Sequence, residues 1–262
     1  MGKNLFKEGR YTEADLIFSK LSELHPEDID LKNKLAVTLK REGKFHEATR
    51  KFLQVLEATP LKVEAHTNLA LSLIKEGKYD EAILSCQKAL KIDPNYKYVH
   101  FNYGMALYSQ KNYDEAIKYY LNALKIDPTD KSIQFNLGSA YSKKEKYDEA
   151  IKYYLEAVKL DSNFEKAYNN LGILYKRQGK NEEAAKCYEQ AIKINPTYKN
   201  SYKNLGEIYD KIGKSEEAYK CYSKTLELDP SCTKTKLAYN IAKMKLKTSI
   251  LDKEKEFTIY CK

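Results

Sequence analysis

Residues 165–198, EKAYNNLGILYKRQGKNEEAAKCYEQAIKINPTY, decide the fold of this 262-residue chain. Their spacing predicts two helices. Tyr168, Leu171, Gly172 and Tyr175 share one stripe at about 100° per residue. Gly179 then supplies a left-handed stop. Glu182 and Glu183 open a second helix, where carboxylates meet the positive end of the aligned peptide dipoles. Ala184, Tyr188 and Ala191 form its apolar stripe. Pro196 ends the unit, because its ring removes a donor and clashes with the preceding turn.

The same unit recurs on both sides. Proline stands at 26, 60, 94, 128, 196 and 230, with Ser162 in the empty place, and Ala14, Ala48, Ala82, Ala116, Ala150, Ala184 and Ala218 keep the same 34-residue step. A fixed period of this length is the signature of a stacked helical array. Six full repeats follow: 29–62, 63–96, 97–130, 131–164, 165–198 and 199–232. Residues 1–28 read as a partial N-terminal repeat, either a chain boundary or a divergent cap, with the boundary favoured. Residues 233–249 read as a C-terminal capping helix whose apolar face is Leu237, Ile241 and Met244, and residues 250–262 as a frayed helix or tail. The positions of each repeat are numbered here as slots 1–34.

Totals set limits on function. Hydrophobic residues make up 42% and tryptophan is absent, so each unit must bury its apolar face against a neighbour. No apolar run approaches the roughly 18 residues of a membrane span, and no membrane role is expected. Cys86, Cys187, Cys221, Cys232 and Cys261 lack the spacing of a zinc pair or a redox pair. Cys187 and Cys221, in one repeat slot, read as small packing residues, and an odd count without pairing geometry fits a reducing compartment, so the expected location is cytoplasmic or nuclear. Net charge is +9, and the last 32 residues hold eight lysines against three acids. Anionic partners are permitted by this balance, but nucleic acid is not demanded.

The pattern aromatic-x2-Leu-Gly-x2-Tyr, then Ala-x3-Phe/Tyr, then Pro, resembles the tetratricopeptide repeat family. The resemblance covers residues 1–232. It implies an all-α, right-handed superhelical solenoid of stacked antiparallel helix pairs, with a concave groove lined by the first helices. Departures are local. Lys111 and Glu145 replace the turn glycine, at about 1 kcal/mol each if the turn needs positive φ. Lys32, His66, His100 and Gln134 hold a slot that is tyrosine in repeats five and six.

No catalytic constellation emerges. Gly213-Lys214-Ser215 imitates a phosphate loop, but Ile208 stands where the loop needs glycine, and no strand precedes it. Asp80–Glu81, Asp114–Glu115 and Asp148–Glu149 mimic acid pairs, yet they recur at the start of each second helix, where the dipole accounts for them. The four histidines lack the companions of a metal site. The chain reads as non-enzymatic and needs no cofactor.

The outer face of the first helix carries the functional reading. Slot 6 is Lys34, then Asn68, Asn102, Asn136, Asn170 and Asn204. An amide donates and accepts at once, so a ladder of them can clamp the backbone of an extended peptide. Ladders of this kind occur in family members such as the O-linked N-acetylglucosamine transferase superhelix, which the groove resembles; a neighbouring helix is the competing partner for these amides. Tyr98, Phe101 and Phe135, with Met105 and Tyr108, form an aromatic cluster fit to anchor an apolar residue. Lys75, Lys143, Arg177 and Lys211 add cations. The expected partner is a protein or peptide segment with acidic character and an apolar anchor. Acidic chaperone tails are disfavoured, because no three consecutive repeats supply the carboxylate-clamp residues: Lys203 is followed by Glu207. A regulatory or substrate-binding region of a larger glycosyltransferase-like enzyme is the second reading. An RNA-binding array is the third and weakest, since the aromatics are not interleaved with lysines along the whole face.

Overall fold

The structure is a computed structural model that describes the backbone of residues 1–260 and the side chains of residues 1–248. Cys261 and the end of the expected tail lie outside the described residues. Every regular element among them is an α-helix.

The chain divides into two compact units, Met1–Lys144 and Glu145 onward. The first holds α1 (Gly2–Lys7), α2 (Tyr11–Leu24), α3 (Ile29–Glu42), α4 (Phe45–Ala58), α5 (Val63–Lys75), α6 (Tyr79–Ile92), α7 (Lys97–Ser109), α8 (Tyr113–Ile126) and α9 (Lys131–Lys143). The second holds α10 (Tyr147–Leu160), α11 (Glu165–Arg177), α12 (Asn181–Ile194), α13 (Lys199–Lys211), α14 (Ser215–Leu228) and α15 (Thr233–Tyr260). Within each unit consecutive helices pack together, and first helices of successive full repeats also touch: α3 on α5, α5 on α7, α7 on α9, and α11 on α13.

The periodic residues make the core. Ala14, Ala48, Ala82, Ala116, Ala150, Ala184 and Ala218 are all fully buried, so neighbouring axes approach closely. The largest buried rings, Tyr120 and Tyr188, fill what remains. Gly43, Gly77, Gly179 and Gly213 hold positive φ in the turns between paired helices, and Lys111 and Glu145 adopt the same conformation at φ 64° and 59°. The turn therefore imposes left-handed backbone even where the sequence supplies a Cβ.

Sequence reasoning missed the ties between repeats. The residue that caps a first helix reaches back thirty positions to the acid opening the previous second helix. Gln110 Nε2 donates to Asp80 at 2.7 Å, Gln178 Nε2 to Asp148 at 2.9 Å, and Lys144 Nζ to Asp114. Those acids thus serve both the helix dipole and the stacking register.

α15 continues past residue 249 to Tyr260, in line with the helical alternative for the tail. The capping helix differs from expectation in its buried face. Its apolar stripe is not the packing face: Leu237, Ile241 and Met244 are 65%, 42% and 67% exposed. The buried side is Thr235 and Ala242, with Ala238 and Tyr239 packed beside Tyr222 and Tyr219. Small residues win the seam because they let α15 approach α14 closely, and Tyr239 then stacks on Tyr219 at 4.9 Å.

Candidate functional site

Each slot-6 asparagine has a partner inside the protein. In the first unit, Asn68 Oδ1 accepts from Lys40 Nζ. Asn102 Nδ2 donates to Thr67 O of α5 at 2.9 Å, and the side chain is only 4% exposed. Asn136 Nδ2 turns back to Ser132 O of its own helix at 2.8 Å. In the second unit the amides form a chain. Asn204 Nδ2 and Ser201 Oγ both donate to Asn169 Oδ1 at 3.2 Å, Asn169 Nδ2 donates to Asn170 Oδ1 at 3.4 Å, and Asn170 Nδ2 donates to Tyr154 Oη at 3.1 Å. Asn102, which the sequence reading had placed on an open face, ties α7 to α5, and Asn169 beside Asn170 ties α11 to α13.

The reason lies in the angular position of slots 5 and 6. They sit at the edge of the buried stripe, and the adjacent first helix stands close enough to cover them. Thr67, Asn102 and Asn169 are accordingly all buried. A buried amide without a partner would cost about 1–3 kcal/mol, so Asn102 bonds to α5 and Asn169 to α13, while the Thr67 hydroxyl donates to Val63 O of its own helix.

The aromatic cluster stays more open. Tyr98 at the start of α7 is 52% exposed, with its ring 5.8 Å from Tyr96 and Lys97 Nζ 4.6 Å above it. Phe101 is half-buried against Tyr120 at 5.8 Å. Phe135, on α9, and Met105 are half-buried as well. Tyr108 packs edge-on to Tyr113 at 5.3 Å. The first-helix face of the first unit thus offers an amphipathic aromatic surface on two touching helices.

Some of the cations are engaged by neighbouring side chains. Arg177 donates to Tyr147 Oη at 2.9 Å, and its guanidinium lies 5.5 Å from that ring. Lys176 pairs with Glu207, and Lys245 pairs with Asp210. Lys75, Lys143 and Lys211 are exposed. Burial, then the adjacent Arg41, push Lys40 down to about 8. The thiols of Cys86, Cys187 and Cys221 are raised, chiefly by burial, to about 12, about 11 and about 12, which keeps them in the unreactive thiol form.

Three side chains at slot 4 share one role. His66 Nε2 donates to Pro60 O at 2.9 Å, His100 Nε2 to Pro94 O at 2.7 Å, and Gln134 Nε2 to Pro128 O at 3.4 Å. This slot is a clasp on the preceding proline loop. Among the described residues no group of His, Cys, Asp and Glu converges on a metal position, and no helix is long and apolar enough to cross a membrane.

Paired helices stacked at a 34-residue period, with first helices touching along one face, define a tetratricopeptide-repeat protein of the interaction-scaffold class. Residues 30–238 match the family described as the Cilia and flagella-associated protein 70 C-terminal domain, and the chain belongs to that family. Comparison with curated protein sequences gives no match. Solved structures share the fold. Cut9 in the APC/C Cut9–Hcn1 hetero-tetramer superposes with a TM-score of 0.76 at 19% identity over 92% of this chain, which spans 48% of the length of that one. PilF of Pseudomonas aeruginosa gives 0.71 at 22% identity, covering 84% of this chain and 98% of its own. YrrB, described as a tetratricopeptide-repeat protein with an unusual peptide-binding site, gives 0.60 at 21% identity, covering 72% and 97%.

Proposed function

We propose that this chain is a non-enzymatic scaffold that binds extended protein segments on its first-helix face, with the aromatic surface of α7 and α9 as the anchor. The carrying observation is Tyr98, 52% exposed, beside half-buried Phe101, Met105 and Phe135 on helices that touch. Tyrosine and phenylalanine supply large contact area at small conformational cost, and such residues dominate binding energy at interfaces. Lys75 and Lys143 flank the surface and favour an acidic segment. The asparagines contribute by a different route from a free ladder. Asn68 and Asn136 are half-buried and can exchange an internal bond for one to a ligand, whereas Asn102 holds the stack together. YrrB is a peptide binder by its description, which supports the reading for the fold.

The location proposed is cytoplasmic, and the family's description adds the cilium or flagellum as the compartment to examine.

The test is affinity purification from the native source with cross-linking and mass mapping. Tyr98→Ala/Phe101→Ala/Phe135→Ala serves as the control; it should lower recovery of bound segments by about tenfold or more. Equal recovery with the triple variant would remove the anchor.

A further inference from the structure

The second helices offer a different surface. Between α4 and α6 lies a cleft of about 950 Å³. Leu69 and Leu73 of α5 form its floor, and Leu53 and Leu84 form its walls. Leu53 is 48% exposed, Leu84 57% and Leu61 on the rim 76%. Exposed leucines gathered around one hollow are unusual on a stable surface and mark a contact site.

One repeat further on, the chain fills the equivalent place itself. Tyr119 stands 34 residues after Ser85. Its ring stacks on Tyr103 at 3.9 Å and lies 6.1 Å from the His100 ring. Tyr103 and His100 are in turn one period after Leu69 and His66. At the earlier repeat the phenol is missing: Ser85 is too short to cross the gap, and its Oγ donates to His66 O at 3.0 Å. Leu69 in place of Tyr103 removes a second ring. The protein thus shows, in its own next repeat, what the hollow accepts.

Charge fixes the neighbourhood. Lys88 and Lys91 line the cleft on α6, with Glu57 on α4 and Glu81 at the opposite end of α6. A segment seated here meets two cations toward the C-terminal half of α6 and a carboxylate at its start.

We infer that the α4–α6 cleft docks a helical segment of another protein. The segment inserts a tyrosine or phenylalanine ring between Leu53 and Leu84 onto Leu69, and it presents an acidic residue one helical turn away to Lys88 and Lys91. The inserted ring takes the place that Tyr119 holds in the following repeat. The site opens between second helices over a floor from α5 and does not use the aromatic anchor of α7 and α9.

p-Cresol, the tyrosine side chain as a free molecule, is the first probe. It should shift the methyl resonances of Leu53, Leu69 and Leu84 in the full chain while leaving Leu205 unmoved, saturating at about millimolar concentration as befits a small fragment. Ser85→Tyr puts the chain's own ring in the cleft and should weaken that binding by about tenfold or more. Leu84→Lys, on an exposed wall, gives the same loss without touching the core. A short amphipathic helical peptide with one tyrosine, and a glutamate one turn later, should bind more tightly than p-cresol and lose the gain on Lys88→Glu/Lys91→Glu. Unmoved methyls, or unchanged affinity in both Ser85→Tyr and Leu84→Lys, would overturn the inference. Self-association abolished by Ser85→Tyr would also overturn it, by assigning the cleft to a second copy of this chain.

Discussion

At the scale of single residues, the core is a set of matched small and large positions. A Cβ at Gly104 would stand 2.6 Å from the Tyr120 ring, and one at Gly206 would stand 2.7 Å from the Tyr222 ring. Repeats with alanine at that slot carry a smaller or non-hydroxylated partner: Ala70 with Cys86, and Ala36 with Phe52. Alanine is the better helix former by about 1 kcal/mol, yet Gly104→Ala should destabilise the protein by about 1–3 kcal/mol because the ring has nowhere to go. The double variant Gly104→Ala/Tyr120→Cys copies Ala70 and Cys86 and should recover part of that loss in urea unfolding. His66 supplies a pH dependence. Burial lowers its pKa below the ordinary 6.5, the Pro60 carbonyl bond opposes this, and Lys88 adds to the lowering. The unfolded chain therefore takes up its proton first as pH falls. Stability is full above about pH 6.5, falls as pH drops below it, and levels off once the folded form is protonated as well. His66→Gln, which copies Gln134, should flatten that slope when urea midpoints are compared across the range.

At the scale of elements, α15 caps its unit with small residues and leaves its larger ones in solvent. Leu237→Lys and Met244→Lys should change thermal stability by less than about 0.5 kcal/mol, as exposed substitutions do. Ala242→Leu, at a residue 1% exposed, should cost about 1–3 kcal/mol through overpacking. Matching losses at Leu237 and Ala242 in a melting curve would contradict the assigned face. The turn before α8 makes a companion case. Lys111 sits at φ 64°, so Lys111→Gly should stabilise the protein by about 1 kcal/mol, measured the same way, because glycine carries no left-handed penalty.

At the scale of the molecule, stability is spread along the stack. In a repeat array it is approximately a sum of repeat and nearest-neighbour terms. Gly206→Ala should therefore raise amide hydrogen exchange in α13 and α14 while leaving α3 to α7 protected, since those helices lie in the other compact unit. Exchange rising uniformly along the chain would show a single cooperative block. The same modularity separates the two binding proposals: changes at Tyr98 and Phe101 act on first helices, and changes at Ser85 and Leu84 act on second helices.

The sequence by itself determined the helices, their pairing, the 34-residue register and the membership of the stacked class. Those features depend on local periodicity and on turn residues such as Gly179 and Pro196, whose effects are felt within a few positions of the chain. It also located the aromatic residues of α7 and α9. Only the tertiary structure decided what the slot-6 amides do, which face of α15 is buried, and where a hollow opens. Asn102 meets Thr67 O, Lys40 meets Asn68, and the hollow beside Ser85 is defined by a tyrosine one repeat away. These are matters of distance between helices about thirty residues apart, set by the bulk of whatever packs between them. A position at the edge of a stripe turns from open to buried with a small change in that bulk, and periodicity alone carries no measure of it.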